Sequence, residues 1–151
     1  MTKDEAKAFN RQSRIADIMR WRTLDSVVGY EIHLSNNPNH ECDICRKLQG
    51  EYPKSFSWHG WCDECKCYAT PILMDEETRN ENERGELKAA LTGIPFTPKR
   101  AKNEVRHLPP AFIGWLAANC SSWKGKEPPY FVSENRELIK AYFSYGNGNQ
   151  G

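Results

Sequence analysis

Cys42-Asp43-Ile44-Cys45 and Cys62-Asp63-Glu64-Cys65-Lys66-Cys67 place five of the six cysteines within 26 residues. A thiolate is a soft, anionic donor, and a C-x-x-C turn lets two sulfurs point the same way, as Zn–S bonds of about 2.3 Å require. Two such turns, sixteen residues apart, can close four thiolates around one tetrahedral zinc ion. A closed shell keeps no position for water, so the expected Zn2+ is structural rather than catalytic. Five sulfurs compete for four positions: Cys42, Cys45, Cys62, Cys65 and Cys67. Cys62 and Cys65 are the better-spaced second pair, and Cys67 competes through its C-x-C spacing to Cys65. His59, and more weakly His40, are nitrogen donors flanking the cluster. A disulfide-closed loop, a redox C-x-x-C and unligated thiols are the alternatives, the redox one without the surrounding βαβ pattern it needs.

The elements that must position these sulfurs are legible to different degrees. Residues 3–22 form a polar helical pattern with an incomplete apolar stripe of Ala6, Phe9, Ile15, Ile18 and Met19. That helix either packs on the domain or docks elsewhere. Val28, Tyr30, Ile32 and Leu34 alternate with smaller or polar residues, the period of a half-buried strand with His33 on its polar face. Asn36-Asn37-Pro38 ends it. Gly50, Pro53 and Gly60 mark a loop-rich path between the cysteine pairs. Tyr68–Met74 is a short extended segment that Pro71 confines to an edge or a strand end, where it can pair with Val28–Leu34.

Residues 75–84 are almost devoid of apolar side chains and suit an exposed helix start or a connector. Glu86–Leu91 adds a helical turn closed by Gly93, and residues 94–102 form a proline-punctuated loop. Lys99, Arg100, Lys102 and Arg106 are the one basic cluster. Pro109-Pro110 opens a helix with Phe112, Leu116, Cys120 and Trp123 on its apolar face, which makes Cys120 a small buried hydrophobe. Ser133 caps a last helix through Leu138, Ile139, Tyr142 and Phe143, and residues 146–151 form a disordered tail.

Composition bounds what this arrangement can do. Hydrophobic residues are 38% of the 151, which allows a modest core, while aromatic residues reach 11%. A net charge of +1 argues against a protein built mainly to neutralise phosphates. No apolar run approaches the ~20 residues of a membrane span, and the charged Met1–Ala6 start has no apolar signal region. The expectation is a chain that stays where it is made and meets no membrane. In a reducing cytosol clustered cysteines favour metal over disulfides.

The run Trp21, Leu24–Asn37, Cys42-Asp43-Ile44-Cys45, Gly50, Tyr52-Pro53-Lys54 and Gly60–Leu73 resembles the C-terminal part of phage minor head proteins of the Mu F-type head morphogenesis family. Asn103-Glu104-Val105, Leu108–Phe112, Trp115, Pro129–Val132 and Asn135 are similar to the tail of such proteins. The family shows C-x-x-C, then a His-Pro-x-Cys-Arg-Cys run before a short apolar strand. Here Cys62 stands at the His position, an exchange that preserves ligation, Asp63 at the Pro, and Lys66 at the Arg. The long helical N-terminal region usual in the family does not precede the match.

The resemblance implies a role in capsid assembly, with other head proteins (portal and major capsid protein) as partners and the virion or host cytoplasm as location. The expected fold is a small α+β, zinc-stabilised domain with a short antiparallel β element and flanking helices. It is divided into an N-terminal helix (1–22), a zinc-containing domain (23–145) and a tail (146–151). No catalytic activity is expected. The alternative is a zinc-containing nucleic-acid-binding module using the basic cluster. A zinc-dependent nuclease with His59 or His107 as base is a third reading, which no His-Asn-His-type spacing supports.

Overall fold

The computed structural model describes residues 2–35, 43–62 and 66–148. The N-terminal pattern becomes α1 (Lys3–Arg22). Thr2 and Glu5 close a reciprocal capping box, with Glu5 N donating to Thr2 Oγ1 (3.1 Å) and Thr2 N to Glu5 Oε2 (2.8 Å). Asp4 and Glu5 in the first turn and Arg20 and Arg22 in the last complement the helix dipole. Ile18 and Trp21 are buried, and the Trp21 ring packs on Tyr30 with centroids 5.9 Å apart. The helix is therefore part of the domain it precedes.

Three antiparallel strands follow in the order β2-β1-β3: β1 (Val27–His33), β2 (Gly50–Tyr52) and β3 (Tyr68–Leu73). Tyr30 faces Tyr52 on one side and Pro71 on the other. The expected pairing with an edge strand holding Pro71 is what forms. The short β2, in a stretch read as loop, was hidden because three residues carry no period. β1 is more buried than a half-exposed strand. Val27, Val28 and Tyr30 are all inside because the strand is central and residues 101–105 cover its second face. There Val105 N donates to Val28 O (3.0 Å), and the ladder is irregular between Val27 and Gly29. Between β1 and β2 lies α2 (Asp43–Lys47), also unforeseen.

Of the two readings of the polar stretch, the exposed helix start is what forms: it runs on without a break as α3 (Glu76–Thr92). Asp75 caps it, its Oδ2 accepting from Thr78 N (2.9 Å) and Thr78 Oγ1 (2.7 Å), and its Oδ1 accepting from Lys102 N (2.8 Å). These bonds hold the Asp75 carboxyl down at about 2. Gly93 ends the helix in the left-handed conformation (φ 71°). The chain then returns along α3. Asn82 Oδ1 accepts from Lys99 N (2.8 Å) and its Nδ2 donates to Lys99 O (3.0 Å), while Phe96 lies against Gly85.

α4 (Pro110–Asn119) buries Phe112 and Leu116 and passes into a 3-10 turn (Cys120–Trp123). Cys120, at the end of α4, is exposed and not the buried hydrophobe expected. The last pattern splits into α5 (Tyr130–Ser133) and α6 (Arg136–Gly148). Ser133 ends the first rather than capping the second. α6 runs through Gly146–Gly148, so half of the expected tail is helical, and residues 149–151 lie outside the described residues. The fold is α+β, and among the described residues no helix is long and apolar enough to cross a membrane.

One glycine fixes how closely the layers approach. A Cβ on Gly29 meets Val105 Cγ2 at 2.7 Å and Tyr52 O at 2.9 Å, the second a backbone atom that cannot swing away. Gly29→Ala is expected to cost about 1–3 kcal/mol by overpacking. Urea unfolding checks this as a lower midpoint with an unchanged slope.

Candidate metal centre

Residues 53–62 and 66–67, between β2 and β3, bring several side chains into the core. Phe56, Trp58, Trp61 and Cys67 are buried, and the rings of Tyr52 and Phe56 lie 4.5 Å apart, with Phe112 edge-on to both. Backbone groups in such a loop lose water without gaining a ladder, so side chains must supply their partners. Arg22 donates to the carbonyls of Lys54 (3.1 Å), Ser55 (3.0 Å) and Phe56 (3.2 Å). Tyr30 Oη also donates to Phe56 O (2.5 Å). Asn135 Oδ1 accepts from Ser57 N (2.7 Å) and its Nδ2 donates to Ser57 O (3.0 Å) and Phe131 O (2.8 Å). Tyr130 Oη accepts from His59 N (2.8 Å) and donates to Gly60 O. Arg14 donates to His59 O (3.4 Å) and Cys67 O (2.9 Å), its guanidinium carbon 5.4 Å from the centre of the Trp58 ring.

Within this frame Cys45 (0% exposed) and Cys67 (1%) belong to the same core cluster, whereas Cys62 is at the surface. Cys42, Cys65 and His40 lie outside the described residues. Among the described residues no three His, Cys, Asp or Glu side chains group as a metal site. Sulfur is the donor type the core itself holds. The indole Nε1 atoms of Trp58 and Trp61 are buried with no hydrogen-bond acceptor. Cys45 and Cys67 are two buried sulfurs of one core cluster, the donor type that a structural zinc takes. A cleft of about 410 Å3 opens beside Cys67, bounded by Arg14, Asp17, Trp58 and Lys66.

The histidines point elsewhere. The His59 ring stacks on Tyr130 at 3.7 Å, with Nε2 3.9 Å from Glu134 Oε2, and Glu134 Oε1 accepts from Ser57 Oγ (2.9 Å). Burial lowers the His59 pKa below its usual value, against the opposing pull of Glu134. His33, expected as a plain surface residue, is half-buried. Its Nε2 is 2.8 Å from Thr70 Oγ1 and its ring stacks on Tyr68. Burial also raises the Tyr30 and Tyr52 phenols, so both stay neutral donors.

No protein-family model matches the chain, and no curated protein or solved structure matches it.

Of the residues that frame the loop, Tyr30, Tyr130 and Asn135 carry part of the resemblance, while the roles of Arg14 and Arg22 escaped the sequence reading. A signal for the arginines existed. Arg14, Ile18, Trp21 and Arg22 stand at i, i+4, i+7 and i+8, so both cations share the inward stripe of α1.

Asn135→Ala strips three bonds from part-buried backbone and is expected to cost about 2–3 kcal/mol, read by chemical denaturation; an Asn135→Ala protein of wild-type midpoint contradicts the frame. His59 gives a pH signature. Its folded-state pKa is depressed, so its contribution is complete above the ordinary value of 6.5 and is lost as pH falls below that. Thermal melts from pH 7.5 to 5 should show a fall in melting temperature that His59→Gln reduces.

Proposed function

We propose that this chain is a zinc-stabilised structural domain of the phage head morphogenesis class, acting by assembly and not by catalysis. Sulfur from both cysteine segments in one core, Cys45 from the first and Cys67 from the second, is the observation that carries the metal part. Burial favours Cys67 over the exposed Cys62, which changes the preferred set to Cys42, Cys45, Cys65 and Cys67. Such a centre would join the β1–α2 side of the fold to the start of β3. When bound, the metal would supply folding free energy, an apparent ~10–16 kcal/mol in small zinc peptides. The protein's own part is to bring sulfur inside, exclude water from it and hold the loop with Arg14.

The assembly part rests on the resemblance, supported by where its residues lie. Trp21 packs on Tyr30, Val105 bonds Val28, Asn103 Nδ2 donates to Leu73 O (2.8 Å), Phe131 packs on Trp115, and Asn135 holds Ser57. The segments that carry the likeness are thus those that interlock in space. The nucleic-acid alternative draws less support, because the basic cluster faces carboxylates: Lys99 pairs with Glu81, Arg100 and Arg106 with Glu104, and Lys102 with Glu77.

Metal analysis of purified protein should find about one zinc per chain, with loss of folding on chelation. Cys45→Ala and Cys67→Ala should abolish binding while Cys62→Ala retains it. A metal-free protein that is fully folded sinks the zinc reading. Portal, maturation protease and major capsid genes beside its gene are expected from the assembly role, and a neighbourhood without head genes removes it.

A further inference from the structure

A cleft of about 400 Å3 lies where the start of β1, α3 and the returning chain meet. Its floor is apolar, made by Val27 and Val28 of β1 with Met74 and Ala101. No cysteine lines it, so it is separate from the metal centre. Its volume falls in the range of binding pockets, roughly 300–1,000 Å3.

Arg79, Asn82, Glu83 and Glu86 form the α3 wall. They stand at i, i+3, i+4 and i+7, so one helix face supplies all four. Asn82 is spent on the Lys99 backbone, donating to its carbonyl (3.0 Å) and accepting from its N–H (2.8 Å). That grip fixes the wall against the returning chain. The charged three are not spent. Among the described residues Arg79, Glu83 and Glu86 have no ion pair or side-chain hydrogen bond, although Arg79 and Glu83 are one turn apart. The cations of the returning chain are used up, Lys99 by Glu81 and Arg100 by Glu104. Of the other lining groups, Asp25 is unpaired as well, and Lys54 donates to Leu24 O (3.1 Å).

The cleft thus joins an apolar floor to a wall whose unpaired charge changes sign along the helix axis. At 1.5 Å of rise per residue, Arg79 stands about 6 Å along the axis from Glu83 and about 10 Å from Glu86. A complementary occupant carries an anion opposite Arg79, a cation opposite Glu83 and Glu86, and an apolar group between them for the floor. A helix with an acidic residue at i, an apolar residue at i+3 or i+4 and a basic residue at i+7 has that spacing on one face. A small inorganic ion has neither the length nor the apolar body.

We infer that this cleft docks an amphipathic helix of a partner protein, read by the order acid, apolar, base along one face. The assembly reading leaves the surface and the partner's chemistry open; this cleft supplies both, and no part of it depends on the metal.

The probes are two synthetic stapled helices built on alanine. One carries Glu at i, Leu at i+3 and i+4, and Lys at i+7; the other has Lys at both charged positions. Each is titrated into the isotope-labelled full chain and followed by NMR. The Glu/Lys helix should shift the Val27, Val28 and Ala101 amides saturably. It should bind about 5–10-fold more tightly than the Lys/Lys helix, the worth of one exposed pair exchanged for a repulsion. Arg79 is exposed, so Arg79→Glu leaves the core intact, and it should reverse the preference. Equal binding of the two helices, no saturable shift at those amides, or an unchanged preference in Arg79→Glu overturns the inference. Sedimentation tests the rival occupant: a concentration-dependent dimer of the chain alone that Arg79→Glu dissolves would seat a second copy in the cleft, and overturns it too. Zinc content and chelator sensitivity, which test the metal reading, are untouched by any of these outcomes.

Discussion

A buried backbone without a ladder is the constraint on which this structure turns. Residues 53–62 and 66–67 form no helix or strand, and interior peptide groups must find partners. Arg14 and Arg22 reach them from α1, Tyr30 from β1, and Tyr130 and Asn135 from the α5 end of the chain. These donors and acceptors fix where α1 and α5 sit. Moving either helix by one turn would strand several carbonyls at once. The sheet is small because it is not what organises the molecule. It anchors the two ends of the loop.

The same frame explains why planar, multi-pronged side chains dominate. Arginine carries five N–H donors in a rigid fork, and asparagine both gives and accepts. One Arg22 serves three successive carbonyls, and one Asn135 closes both backbone groups of Ser57. Lysine at position 14 could not bond His59 O and Cys67 O while lying over the Trp58 ring. The guanidinium also brings positive charge close to the buried Cys67.

Local chemistry was readable in the sequence and long-range satisfaction was not. Pro71 and the alternation from Val28 to Leu34 identified an edge strand and its partner, because both signals act within a few residues. The α1 and α4 starts were legible from their apolar spacing and the Pro109-Pro110 step. β2 was missed because three residues carry no period, and the first half of α3 stayed open between helix start and connector because its polar surface lacks an apolar stripe. Its stability comes from caps and from Asn82 gripping the returning chain. Cys120 was placed inside by helical period, but α4 ends beside it and it is exposed. Of the candidate site, the cysteine spacing was visible, while the division into buried Cys45 and Cys67 and exposed Cys62 depended on tertiary packing.

The bonds around the cysteine loop have an order in time as well as in space. During synthesis α1, β1 and the loop leave the ribosome before Tyr130 and Asn135 exist, and domains build from the N-terminal side as they emerge. Arg14, Arg22 and Tyr30 can thus cradle the nascent loop while its far side is still open. The Tyr130–Asn135 latch arrives last and closes over Ser57, His59 and Gly60.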